Sequence, residues 1–174
     1  MALLRGINLG ARNKLAMASL RELVESLGGE DVQTYVQSGN VLFSSRAAAS
    51  GLANRLAAEI RRVHGLDVPV LLRTSAELDA IVKANPFTRA GADGTTLHVT
   101  FLDRKPKQAL VRALGPTSPP DELRIAGREV YLHCPNGYGR SKLQNALLEK
   151  QLGTTATTRN WRTVTTLAEL AGAR

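Results

Sequence analysis

Residues 32–44, VQTYVQSGNVLFS, decide the fold that we predict for this chain. Val32 to Val36 and Val41 to Ser44 are two short β-prone runs, and the cluster Ser38-Gly39-Asn40 lies between them. Ser, Gly and Asn are typical turn residues, and Asn tolerates a left-handed backbone. The stretch therefore predicts a β-hairpin.

The sequence on both sides of this hairpin predicts strands and helices that alternate around it. Apolar residues recur at helical spacing in two segments, each followed by glycine, and two β-prone runs lie outside them. The predicted elements are a strand at 3–4, a helix at 17–27, the hairpin, a helix at 50–63 that ends at Gly65, and a strand at 68–72. This β-α-β-β-α-β order is that of the ferredoxin-like, split βαβ arrangement.

The second half of the chain repeats this theme less clearly. It predicts a short helix at 76–83, a strand at 97–102, a helix at 107–114, a connection at 116–120, a hairpin from 123–125 and 129–134, a helix at 141–152, a weak closing strand at 154–158 and a helix at 161–171. We predict an α+β tandem duplication of ferredoxin-like halves, with antiparallel sheets covered by helices and a degenerate second half. The halves are 1–74 and 95–174, joined by a connecting helix and loop at 75–94.

Composition limits the class of protein. The chain of 174 residues has 17 Arg and 6 Lys, a net charge of +8 and a sequence pI near 10.2. This charge favours an anionic partner, although an arginine-rich and alanine-rich composition is also what a GC-rich genome produces. Cys134 is the single cysteine, which excludes an intramolecular disulfide and fits a reducing interior. Because no apolar run approaches the length of a membrane span, we expect a soluble, cytoplasmic protein without a membrane partner.

Two polar segments of the first half are candidates for ligand binding. Arg5, Asn8 and Lys14 could surround an anion, with glycine amides between them as further donors. The alternative is a strand-to-helix connection whose glycines only meet the geometry of a turn. The residues Gln37, Ser38 and Asn40 lie at the hairpin turn, so turn formation explains them as well as a site does.

The second half offers two further candidates. Arg140, Ser141 and Lys142 follow a glycine-rich loop, and Ser141 could cap a helix whose free amides attract an anion. Arg159 precedes the last helix, where Asn160 is the expected cap. The three histidines are expected to be packing or surface residues, because none has the spacing of a metal site. The sequence identifies no catalytic residue, cofactor or metal ligand, so whether the protein is an enzyme stays open.

Several blocks of the sequence, taken in order, resemble those of one family. The blocks are Leu3-Leu4-Arg5-Gly6-Ile7-Asn8, Lys14, Met17, Thr34 to Val41, Asn85-Pro86-Phe87, Gly139 to Leu143 and Thr158 to Val164. They resemble the bacterial family called domain of unknown function 1697. The resemblance implies a soluble ferredoxin-like duplication and no established activity. Similar members usually carry a few more residues before the first block, so we expect the first strand to be short and its edge weakly held.

Three functional hypotheses follow. The first is a binder of a small phosphate-bearing anion, or an enzyme acting on one, with a cleft between the halves lined by basic glycine-rich loops. Its site residues are Arg5, Asn8, Lys14, Gln37, Ser38, Asn40, Arg140, Ser141, Lys142 and Arg159. The second is a nucleic-acid-binding module, for which the run Val41-Leu42-Phe43 offers only Phe43 as an aromatic residue. The third is a structural or oligomerising protein, and the oligomeric state stays open.

Overall fold

A computed structural model describes residues 1–10, 13–115 and 119–173 of the chain. The fold divides into two units, one formed by Met1–Ser75 with Ala173 and the other by Ala76–Gly172. The segment 75–94, predicted as a connection, lies almost entirely in the second unit. Most of the predicted connection at 116–120 lies outside the described residues.

The first unit has the β-α-β-β-α-β order that the sequence predicts. Its elements are β1 (Ala2–Leu4), α1 (Met17–Ser26), β2 (Glu30–Tyr35), β3 (Asn40–Ser44), α2 (Ala49–His64) and β4 (Val70–Leu72). The glycines end both helices as expected. Gly65 takes a left-handed φ of 67° after α2 and donates its N–H to Arg61 O, while Gly29 N after α1 donates to Val24 O.

The first sheet is antiparallel, with the strand order β2-β3-β1-β4. Strand β1 is short, as expected, but it lies inside the sheet, where Ala2 pairs with Val41 of β3 and with Leu72 of β4. The expectation of a weakly held edge is therefore wrong, because β1 has a partner on each side. Alternate residues of a strand face opposite sides, so Ala2 and Leu4 join the core formed with α1 and α2.

The second unit contains the same order of elements, with added helices at both ends. Its elements are α3 (Ser75–Ala84), α4 (Pro86–Arg89), β5 (Leu97–Leu102), α5 (Gln108–Arg112), β6 (Glu122–Ala126), β7 (Glu129–His133), α6 (Asn145–Leu152), β8 (Ala156–Asn160) and α7 (Trp161–Gly172). All six elements of the β-α-β-β-α-β order are present, and α5 is the shorter of the two helices within it. The expected cap of the last helix is confirmed, since Thr163 N donates to Asn160 Oδ1 at 2.8 Å.

The second sheet is also antiparallel, with the order β6-β7-β5-β8. On one face, Leu102 and Leu132 join a core with Leu148 of α6. On the other face, Tyr131 Oη donates to the backbone oxygen of Ile81 in α3 at 3.2 Å. The protein is thus a mixed α+β fold with two four-stranded antiparallel sheets, each packed against helices. Among the described residues, no helix is both long enough and apolar enough to cross a membrane.

Candidate functional site

Asn8 connects the two polar segments of the first unit. Its Nδ2 donates to Leu15 O at 3.0 Å and to Gln37 O at 2.8 Å, and its Oδ1 accepts from Leu15 N at 2.9 Å. The described residues of the loop after β1 (5–10 and 13–16) and the turn between β2 and β3 (residues 36–39) are therefore held together at one end of the sheet. We refer to them as the loop pair. The sequence placed both segments at strand ends, and the structure brings them together.

The turn of the loop pair is closed by Asn40, whose side chain is fully buried. Asn40 Nδ2 donates to Tyr35 O at 3.0 Å and to Ser38 Oγ at 2.9 Å. Gly39 lies so close to the first strand that a Cβ on it would be 2.7 Å from Leu4 Cβ. Asn40, Ser38 and Gly39 therefore have direct structural roles in the turn.

The loop after β1 has an unusual backbone. Gly6, Asn8, Gly10 and Asn13 all have positive φ, at 71°, 53°, 61° and 49°. Asn13 Nδ2 donates to Gly6 O at 3.1 Å, which further fixes the loop. Left-handed residues in a loop can turn successive N–H groups toward one side, where they attract an anion. A Cβ on Gly6 or Gly10 would meet no atom within 4 Å, so the backbone at these glycines faces open space.

The loop pair also has cationic and polar side chains. Lys14 and Gln37 are exposed, and Arg5 is half-buried. In residues 1–10, 13–115 and 119–173 the Lys14 ammonium has no ion pair or hydrogen bond. The sequence did not single out Leu9 and Val36, which lie beside Asn8 and Gln37 and are exposed. Their apolar character in a polar loop was the available signal.

The second-unit candidates are arranged differently from what the sequence suggested. Arg140 and Lys142 are exposed, but Ser141 is buried and does not cap a helix. Its Oγ accepts from Leu143 N at 3.0 Å, and α6 begins only at Asn145. The predicted helix start at residue 141 is wrong because Ser141 has an extended backbone, with a ψ of 145°, and the helix begins only after Gln144.

Arg159 lies within the second sheet rather than at its surface. Its side chain is 9% exposed, and its guanidinium donates to Thr157 Oγ1 at 2.8 Å and to Thr158 O at 2.9 Å. Burial lowers the pKa of Arg159 to about 10, so it stays charged at neutral pH. The sequence left Arg159 available to a ligand, whereas the structure places it as a hydrogen-bonded cation inside the unit.

A polar cluster that the sequence did not predict lies on the α6 side of the second sheet. Tyr138 Oη donates to Thr158 Oγ1 at 3.1 Å, and Thr158 Oγ1 donates to Asn145 Oδ1 at 2.7 Å. Because Thr158 has a single hydroxyl proton, Thr100 must be the donor in the 2.7 Å contact between the two threonines. The His98 ring stacks on Tyr138 with its centroid 4.8 Å away. Period-two spacing of residues 98 and 100 on β5 was the only sequence signal.

Burial governs the protonation of this cluster. It lowers the pKa of His98, with the Thr96 backbone acting in the opposite direction, and it raises the pKa of Tyr138. His98 Nδ1 is buried and has no hydrogen-bond partner in the part of the chain that the structure describes. The neutral ring is therefore the stable form in this position.

A groove of about 340 Å³ lies between α3 and the turn that joins β6 to β7. Alanine and glycine residues form much of its lining, together with Arg128 and Glu77. These two side chains form an ion pair at 2.5 Å. Because the paired charges offset each other, the groove gives an anion less positive charge than the loop pair. Within the described ranges, no group of three or more His, Cys, Asp or Glu side chains could hold a metal ion.

The fold and the candidate sites together define a mixed α+β protein with polar, glycine-bearing loops. The sequence model of the family described as "Protein of unknown function (DUF1697)" matches residues 1–131, and the chain belongs to this family. A solved structure of the conserved bacterial protein SP0830 from Streptococcus pneumoniae is similar to it, with a TM-score of 0.76 and 20% sequence identity over 98% of this chain and 96% of that one. At this identity the similarity shows a shared fold alone. None of the curated proteins compared with the chain matches it.

Proposed function

We propose that the protein binds a small phosphate-bearing anion at the loop pair. The observation that carries this proposal is the bridge made by Asn8, which holds both loops in place before any ligand arrives. Ligand binding to a preformed site avoids the entropic cost of ordering loops. Lys14 and Arg5 supply positive charge, and the exposed backbone at Gly6 and Gly10 supplies room for close approach.

The exposed basic residues Arg140 and Lys142 of the second unit are the other cationic group that we propose for anion binding. They are the weaker candidate because the predicted helix N-terminus is absent from Ser141. We also propose that the two units are copies of one ferredoxin-like arrangement. The support is their common element order and their equivalent strand orders, in which the third strand lies between the second and the first.

A phosphate titration tests the proposal at the loop pair. Backbone amide signals of Gly6 and Gly10 should shift in NMR spectra as inorganic phosphate is added at low ionic strength. Lys14→Gln should weaken binding about tenfold, which is the effect of losing one charge-assisted contact of modest strength. Lys107→Gln is the matched control, because Lys107 is also exposed and its loss changes the net charge equally. Equal weakening by both variants, or no shift at the glycines, would reject the loop pair as the site.

The nucleic-acid alternative has less support from the first sheet. Phe43, the aromatic residue expected to stack on a base, packs against the core formed with α1 and α2. Single-stranded nucleic acids are bound mainly by exposed aromatic side chains and a basic groove. Filter binding to RNA and DNA at low and high salt tests this alternative, which requires tight binding that weakens steeply with salt.

A further inference from the structure

Two exposed apolar side chains lie beside the hydrogen bond that joins the loop pair. In the described residues the large exposed hydrophobics are Leu9 at 68%, Val36 at 51% and Val63 at 48% exposed. Leu9 follows Asn8, and Val36 precedes Gln37, the two residues joined by the 2.8 Å bond. Standard bond lengths then limit the distance between the Cα atoms of Leu9 and Val36 to about 17 Å. Isolated exposed hydrophobics are common, so the exposure of this pair needs a second observation.

The backbone of Val36 supplies that observation. Val36 has a φ of 50°, and a positive φ is a genuine outlier for a β-branched residue. The other residues of positive φ in the described chain are Gly, Asn or Asp, which adopt this conformation at lower cost. Because the side chain of Val36 is half exposed, packing does not explain why a valine occupies this strained position. Strain of this kind is concentrated at functional sites.

Leu9 and Val36 adjoin Asn8 and Gln37 in the chain, and Lys14 adjoins Leu15. Because Asn8 bonds to both Leu15 and Gln37, the apolar pair and the Lys14 cation belong to one hydrogen-bonded group of loops. A ligand that contacts both parts needs a phosphate group and a flat apolar group within one small molecule. The two side chains are too few for a protein interface, which needs about 1,000 Å² or more of buried area. An acyl chain would leave most of its length in water on such a small open surface, whereas a ring can lay one face on it.

We infer that the anion bound at the loop pair is a nucleoside monophosphate, whose base contacts Leu9 and Val36 while its phosphate lies near Lys14. This inference rests on the proposed function, since it names the class of ligand for the same site. Removing one face of the base from water contributes favourable binding free energy, and so does the attraction of the phosphate to the cations and the loop amides.

Isothermal titration calorimetry with inorganic phosphate, ribose 5-phosphate and adenosine monophosphate separates the two proposals. We expect adenosine monophosphate to bind about tenfold more tightly than the other two, a factor that corresponds to the burial of a small apolar area. Leu9→Ser and Val36→Asn should each reduce the ratio of the affinity for adenosine monophosphate to the affinity for inorganic phosphate. Val63→Ser on α2 is the control, because it removes an equally exposed valine far along the chain from the loop pair.

The outcomes are distinguishable. Equal affinity for phosphate and adenosine monophosphate overturns the ligand class and leaves the proposed function standing, while absence of binding by all three overturns both. A six-nucleotide oligomer that binds far more tightly than the monophosphate, with a steep salt dependence, overturns the inference in favour of a polymer. Val36→Asn should also raise the urea midpoint, since Asn tolerates the left-handed backbone. A lower midpoint would show that Val36 stabilises the fold, and it would overturn the use of its strained backbone as a sign of a ligand site.

Discussion

Replacing Asn8 by alanine removes the bridge that holds the loop pair together. The variant loses the two bonds from Nδ2, to Leu15 O and Gln37 O, and the bond that Oδ1 accepts from Leu15 N. Leu15 is only 3% exposed, so its N–H would lose its partner in a place that water reaches poorly. The alanine would also have to adopt the φ of 53° that Asn8 has, which is unfavourable for residues with a Cβ.

The loss of stability has two contributions, the missing hydrogen bonds and the left-handed backbone. A net hydrogen bond contributes about 0.5–1.5 kcal/mol, and water compensates part of the loss at the exposed Gln37 carbonyl. The left-handed conformation costs alanine about 1 kcal/mol more than asparagine. Together they predict that Asn8→Ala lowers the free energy of unfolding by about 2–4 kcal/mol. Asn8→Gly should lose about 1 kcal/mol less, because glycine adopts positive φ freely.

Urea denaturation followed by far-ultraviolet circular dichroism measures this loss. Asn13→Ala is a matched control, since Asn13 has a similar φ of 49° and donates one side-chain bond, to Gly6 O. Asn8→Ala should be less stable than Asn13→Ala by about 1–2 kcal/mol, the value of the two additional bonds. The Leu15 amide should also exchange its hydrogen faster in the Asn8 variant. A loss below about 0.5 kcal/mol for Asn8→Ala would refute the structural role of the bridge.

Three further predictions concern packing and protonation. Gly39→Ala should cost about 3 kcal/mol in urea denaturation because its Cβ would be 2.7 Å from Leu4 Cβ, whereas Gly10→Ala, in open space, should cost about 1 kcal/mol; similar losses would contradict the packing argument. Cys134 is fully buried and burial raises the pKa of its thiol, so a thiol reagent should label it only after unfolding, and rapid labelling of the native protein would disprove this. Burial lowers the pKa of His98, so as the pH falls this histidine is protonated in the unfolded chain before it is protonated in the folded one. The contribution of neutral His98 to stability is present above pH 6.5 and is lost as the pH falls from there toward the folded pKa, and His98→Gln should flatten this dependence in thermal melts.

The sequence predicted most elements of the fold because their ends are marked by local signals. The hairpin around Gly39 and the strand Leu97–Leu102 depend on turn residues and β-prone runs that are adjacent in the chain. The predicted start of α6 was wrong because Ser141 has the chemistry of a helix cap, and only the structure shows that its Oγ accepts from Leu143 N before the helix begins. A local pattern contains no information on which of two possible acceptor roles a serine takes.

The candidate site was less predictable because its decisive contacts join distant residues. The bond from Asn8 to Gln37 spans 29 positions, and the contact of Thr100 with Thr158 spans 58. Turn-forming residues and ligand-binding residues are also the same types, so composition alone does not separate them. The strained backbone of Val36 is equally hidden, because nothing in a valine next to a glutamine indicates a positive φ.

The asparagines of the loop pair also restrict the kind of ligand that it can hold. A side-chain amide has two N–H donors, and both are used within the fold by Asn8 and by Asn40. Neither amide can turn toward a ligand without breaking a bond that positions the backbone. The charged donors for a ligand are then the Lys14 ammonium and the Arg5 guanidinium, which, like loop N–H groups, favour negative charge. A neutral sugar should therefore bind more weakly than its phosphate ester even where its shape fits equally well, and adenosine should bind more weakly than adenosine monophosphate.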